Sequence, residues 1–185
     1  LGRRPEPAES AGRFAHPGAD QGRDPSEVRA ESATRAAGAT VVYTQDWHPA
    51  ETPHFADFGG VWPVHCVGGT WGSEFHPDLN VLDDAVFTRK GTGGENGYSA
   101  FSMEEVGSDV ALSTGLHEAL EERGIERVVL TGLATDYCVK FSGLDAARLG
   151  YDATVLTGCV RAVDLAGGDG DRALEELRGA GVKVV

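Results

Sequence analysis

The chain has 185 residues, with 16 Lys+Arg against 29 Asp+Glu and a formal charge of −13. At 41% hydrophobic and 24% charged residues it is long enough for one domain with a full core. Its acidic surface repels phosphate backbones and anionic headgroups, which excludes nucleic acid and membrane as first-choice partners.

No apolar run approaches the ~20 residues of a spanning helix, and Leu1 to Pro7 carries no apolar signal-like stretch. Cys66, Cys138 and Cys159 cannot all pair and form no Cys-x-x-Cys. A cytoplasmic protein with free thiols is therefore expected. The charge is unevenly spread: residues 1–37 hold six arginines and six acids, so the whole −13 lies in residues 38–185. The first 37 also contain only Leu1, Phe14 and Val28 as large apolar residues, too few to offset the entropy of ordering. The expected organisation is a poorly packed 1–37 segment followed by one domain over 38–185.

In chain order, Asp24-Pro25-Ser26-Glu27 predicts a helix start with a capping box, the helix running to Ala37. Short β-branched runs then predict strands over 39–44, 85–88, 128–131, 153–156 and 182–185. Helical patterns with their own stop signals separate the later ones: Thr114 to Gly124, Cys138 to Leu149 before Gly150, and Asp171 to Arg178 before Gly179. Strands alternating with helices imply βαβ units and a parallel sheet covered on both faces, with ligands bound beyond the carboxyl ends of the strands. Residues 45–80 break this rhythm. They hold four of the six histidines, all three tryptophans and four of the eight prolines, which marks a functional loop.

Three groups of residues carry chemistry. Asp46 and His48, two apart in an extended segment, point to the same side, and His54 and His65 follow in the same loop. One carboxylate and three imidazoles suit a divalent transition metal such as Zn, Mn or Fe; the competing reading is surface or hydrogen-bonding histidines. Cys138 follows a strand and opens a helix, where unpaired N–H groups and the macrodipole favour a thiolate and can cradle an oxyanion. The competing reading is a buried structural cysteine, assigned to Cys66 and Cys159. Lys90 ends a strand before the glycine-rich run 91–97, where it can hold a thiolate or a base in its charged state. That run lacks both phosphate-loop spacings, and is read as a loop letting Tyr98-Ser99-Ala100-Phe101 fold over the site.

Tyr43-Thr44-Gln45-Asp46-Trp47-His48-Pro49, Trp62-Pro63-Val64-His65-Cys66, Arg89-Lys90-Gly91 with Tyr98-Ser99-Ala100-Phe101, and Gly132-Leu133-Ala134-Thr135-Asp136-Tyr137-Cys138-Val139 resemble the nicotinamidase/pyrazinamidase branch of the isochorismatase-like cysteine hydrolases. The resemblance covers nearly all of 38–185, with the motifs in the family's order. It implies a three-layer α/β/α fold on a parallel, Rossmann-like sheet. It also implies hydrolysis of nicotinamide, or a pyrazinamide-type analogue, to the acid and ammonia, a step of NAD salvage. Cys138 would form a thioester, Lys90 would assist it, and the N–H groups of Ala134 and Cys138 would hold the oxyanion after a cis Leu133-Ala134 bond. Asp46, His48, His54 and His65 match the metal ligands, the metal binding the pyridine nitrogen. Trp62, Tyr98, Leu133 and Tyr137 match the substrate-binding positions. The implied partner is the small substrate, with a homo-oligomer allowed.

One departure stands out. The family begins with an apolar central strand ending in Asp-x-Gln-x-Asp-Phe, whose first aspartate is the general base, and nothing in residues 1–37 matches it. The expectation is that this strand is missing or replaced, through a frame error or a lost gene start. Activity should then fall by 10² to 10⁴-fold for want of the base. The alternatives are a cysteine hydrolase of another small amide and a homologue that binds metal and nicotinamide without turnover.

Overall fold

The computed structural model describes residues 38–108 and 110–185. The helix expected over 24–37, and the whole 1–37 segment, lie outside the described residues. The first β-branched run forms strand β1 (Val42–Asp46), and the next forms β2 (Val86–Lys90). They pair in parallel, Val42 opposite Val86 through to Asp46 opposite Lys90. Both strands extend past the expected ends at 44 and 88. Parallel register brings their carboxyl ends level, so pairing through the last rung sets a carboxylate beside an ammonium.

Between them, residues 47–85 form an irregular loop with two short 3-10 turns, Ala56–Phe58 and Trp71–Ser73. Single β-bridges, His48 to Val67 and Phe55 to Trp62, fold this loop on itself. Phe55 is fully buried beneath it, which gives the histidine-bearing loop a small core of its own.

A short antiparallel hairpin follows, β3 (Ser102–Glu104) with β4 (Ala111–Ser113). Helix α1 is confined to Leu116–Glu121 and buries Leu116 and Leu120. Its N-cap is Gly115 rather than the expected Thr114, whose hydroxyl instead accepts from the Leu116 N–H at 3.3 Å and donates to the Ala100 carbonyl at 2.6 Å.

Strand β5 (Arg127–Leu133) leads through one π-helical turn, Thr135–Val139, into α2 (Lys140–Arg148). Next come β6 (Asp152–Arg161), α3 (Asp169–Gly179) and β7 (Lys183–Val184). Strands β5, β6 and β7 form a parallel sheet in that order. β6 is far longer than the run at 153–156 because the ladder shifts register between Leu130 and Gly132 and resumes at Gly132 opposite Val160.

This is an α/β fold. Its core gathers Val139 and Ala146 of the Cys138 region, Ala153, Val155 and Val160 of β6, Leu177 of α3 and Val182. Helices α2 and α3 pack closely: a Cβ on Gly143 would lie 2.5 Å from the Leu177 side chain, so any larger residue there would force Leu177 to move. No helix among the described residues is long and apolar enough to cross a membrane.

Candidate active site

The carboxyl ends of β1, β2 and β5 converge on Lys90. Its side chain is 3% exposed, and Nζ donates to Asp46 Oδ1, to the Gly97 carbonyl at 2.5 Å and to Cys138 Sγ at 3.3 Å. Burial by itself lowers the pKa of such a lysine. The Asp46 carboxylate and the Cys138 sulfur outweigh that penalty and hold its pKa above the usual lysine value.

For Cys138 the balance runs the other way. Burial raises the thiol pKa, while Lys90 and a backbone hydrogen bond from Ala134 pull it down without cancelling the rise. The sulfur sits with a cation and an N–H already aimed at it. The turn that carries it is set by hydrogen bonds. The N–H groups of Tyr137 and Val139 both donate to the Ala134 carbonyl, at 3.1 and 3.0 Å. The buried Asp136 carboxylate takes the N–H groups of Val163 and Asp164 at 3.0 and 2.9 Å, tying the turn to the segment after β6. The peptide bond between Leu133 and Ala134 is cis. Leu133 itself stands 71% exposed.

Beside this group, His48, His54 and His65 bring one ring nitrogen each within 4.8 Å of one another. His65 Nδ1 donates to the Pro63 carbonyl at 2.7 Å, and His54 Nδ1 meets Asn96 Oδ1 at 2.8 Å, so each ring presents its Nε2 lone pair. His48 is 2% exposed, and its Nδ1 has no hydrogen-bond partner among the described residues. Its pKa falls to about 4, first through burial, with His54, His65 and Lys90 adding to the drop and Asp46 opposing it. Burial likewise lowers His54.

Three imidazoles crowded together, one with an orphaned buried nitrogen, form a donor set that fits a divalent transition metal. Asp46, expected as a fourth ligand, lies beside this cluster with Oδ1 engaged by Lys90. Gly91 makes room at its edge: φ is +73°, and a Cβ there would collide with the His48 ring.

Aromatic rings wall the space between the thiol and the histidines. Trp62 meets Tyr137 edge-on at 4.7 Å between centroids, and Trp62 Nε1 donates to Tyr98 Oη at 2.7 Å. Tyr98 stacks on Phe141 at 5.3 Å. Aromatic faces of this kind suit contact with a flat ring. The structure thus brings together Cys138, Lys90, Ala134, Asp46, the three histidines, Trp62, Tyr98 and Tyr137. Asn96, Gly97, Asp136 and Phe141 support the same site but were not singled out from the sequence. Asn96 and Gly97 stand in the glycine-rich run as ordinary loop residues, and only folding shows what they face.

Residues 12–185 match the isochorismatase domain model. The chain belongs to the isochorismatase family. Within that family it is 39% identical over 154 residues to the nicotinamidase/pyrazinamidase of Mycobacterium tuberculosis, covering 78% of this chain and 75% of that one. It is 37% identical over 161 residues to the nicotinamidase of Acinetobacter baylyi, covering 78% and 73%. Among solved structures, the isochorismatase-family chain is similar to the pyrazinamidase of Pyrococcus horikoshii in complex with zinc. The TM-score is 0.76 at 34% identity, over 87% of this chain and 83% of that one.

Proposed function

We propose that this chain is a hydrolase of a linear amide bond that converts nicotinamide, or a pyrazinamide-type analogue, to the corresponding acid and ammonia. The observation that carries this reading is the contact of Lys90 Nζ with Cys138 Sγ at 3.3 Å, set between the three-histidine cluster and the Trp62, Tyr98 and Tyr137 rings. Nicotinamidases of similar sequence support the choice of amide.

The flat heteroaromatic ring enters between Trp62, Tyr98 and Tyr137 and presents its carboxamide carbon to Cys138. As sulfur attacks, negative charge grows on the carbonyl oxygen, and the N–H groups of Ala134 and Cys138 stabilise it. Lys90 keeps the sulfur in an electropositive setting while the thiol proton passes to the departing amine, which leaves as ammonia. The thioester left on Cys138 is then opened by water to release the acid. His48, His54 and His65 would hold a divalent metal, with the Asp46 carboxylate supplying negative charge beside them. A metal held there would supply a Lewis-acidic point for the ring nitrogen and so favour heteroaromatic amides. Among the described residues Asp46 is the carboxylate hydrogen-bonded to Lys90, one step removed from the sulfur.

The test is ammonia release over a panel of nicotinamide, pyrazinamide and aliphatic amides with zinc present. Nicotinamide should be preferred, and Cys138→Ser should reduce release to the uncatalysed background. Equal or better turnover of an aliphatic amide would overturn the substrate, and unchanged activity in Cys138→Ser would overturn the mechanism.

A further inference from the structure

The pocket wall is not self-supporting. Tyr98 sits in the segment from Gly97 to Ser102, which follows a glycine-rich run and contains no regular structure before β3. Free peptide of this composition would not hold a ring at a fixed place. Lys90 holds the Gly97 carbonyl and Thr114 the Ala100 and Phe101 carbonyls, and one carboxylate on α2 gathers two of the segment's side chains. Asp145 Oδ2 accepts from Ser99 Oγ at 2.7 Å and from Ser102 Oγ at 2.6 Å, and its Oδ1 accepts from Arg148 Nη2 at 3.0 Å.

Ser99 Oγ in turn accepts the Phe101 N–H at 3.1 Å, and Ser142 Oγ, on the same helix, accepts the Ala100 N–H at 2.8 Å. Ser99 and Ser142 are buried, and the Asp145 side chain is 16% exposed, so these bonds form where water competes poorly. Asp145 lies seven residues after Cys138 on the helix the cysteine turn leads into, about two turns along. The helix that presents the thiol therefore also fixes the facing wall.

We propose that Asp145 is a positioning residue that seats the Tyr98 segment over the pocket and thereby sets how tightly the ring of the substrate is held. The consequence for affinity rests on the functional reading above; the clamp itself does not. Only the seated form presents Tyr98 to the ring and to Trp62 Nε1. Apparent affinity then scales with the fraction of chains in which the segment is seated. Losing both serine bonds to a charged acceptor should cut that fraction by roughly tenfold or more.

Two variants test this in the full chain with zinc present. Asp145→Ala should raise KM for nicotinamide about tenfold while kcat stays within about threefold. It should also speed backbone amide hydrogen exchange at Ala100 and Phe101 without altering exchange in β5 and β6. The pair Ser99→Ala with Ser102→Ala leaves α2 untouched and should reproduce both effects, which covers the case in which Asp145→Ala fails to fold. Unchanged exchange in the 97–102 segment overturns the clamp. Faster exchange with unchanged KM overturns its role in affinity, as does a fall in kcat with KM unmoved. Should the parent chain turn over no nicotinamide, the functional reading fails by itself, and the exchange measurement still decides the clamp.

Discussion

Replacing Asp46 by asparagine tests the electrostatic account of the site most directly. Asn keeps the shape of the side chain but leaves the Lys90 ammonium buried with only the Gly97 carbonyl and the Cys138 thiol for company. Two routes are open to it. Keeping the charge unpaired costs about 3–5 kcal/mol, the usual cost of breaking a buried pair from one side. Giving up the proton at pH 7 costs about 4–5 kcal/mol, since lysine ordinarily titrates near 10.4. Either way the metal-free D46N protein should be less stable by about 3–5 kcal/mol at pH 7.

The pH dependence fixes the sign. In the parent, the folded pKa of Lys90 lies above its unfolded value. The pair's contribution is therefore fully present below about pH 10.4 and is lost as pH rises through the folded pKa. In D46N, neutralising the lysine becomes cheap as pH rises, so the gap between the two proteins should close towards pH 10 and above. Urea denaturation of chelator-treated parent and variant at pH 7 and pH 10 measures this, with equal slopes expected. Adding Lys90→Met to D46N should recover much of the loss, because no orphan cation remains. A D46N protein within about 1 kcal/mol of the parent at pH 7 would refute the reasoning, as would a gap that does not change with pH.

The other predictions concern the histidines and their surroundings. Because burial lowers the His48 pKa to about 4, well below its unfolded value, the unfolded chain binds more protons across that interval. Metal-free protein should lose stability as pH falls from about 6.5 towards 4, and His48→Gln should flatten that slope in a denaturation series. His54→Ala should lower zinc content, read by elemental analysis after dialysis, while the parent keeps about one zinc per chain; equal zinc in both would remove His54 from the donor set. Gly91→Ala forces a Cβ towards the His48 ring at positive φ. It should weaken zinc binding by about 10 to 100-fold, as disturbance around a ligand does, in a chelator competition assay.

Much of this could be read before folding was considered, because it depends on residues close in sequence. The β-branched runs at 39–44, 85–88 and 128–131 announce strands, and Asp46, Lys90 and Cys138 sit at the carboxyl ends of the strands that form there or just beyond. The hairpin at 102–104 and 111–113 escaped because Ser-Met-Glu and Ala-Leu-Ser carry no alternation to see. The length of β6 escaped because a register shift, not composition, extends it. Asp145 is the clearest case of the rest. In sequence it is one acid in a helix, paired with Arg148 three residues on. Its bonds to Ser99 and Ser102 span 46 and 43 residues, and no local pattern encodes them.

The three acceptors around Lys90 come from parts of the chain 44, 7 and 48 residues away. A ribosome-bound chain that has emerged only as far as β2 and its loop holds the lysine but not the Cys138 thiol. Until the β5 region docks, Cys138 is an ordinary cysteine with no cation beside it. The assembly of sulfur, cation and rings is thus a product of completed folding, and a nascent or misfolded copy holds Cys138 without the surroundings that would direct it at an amide.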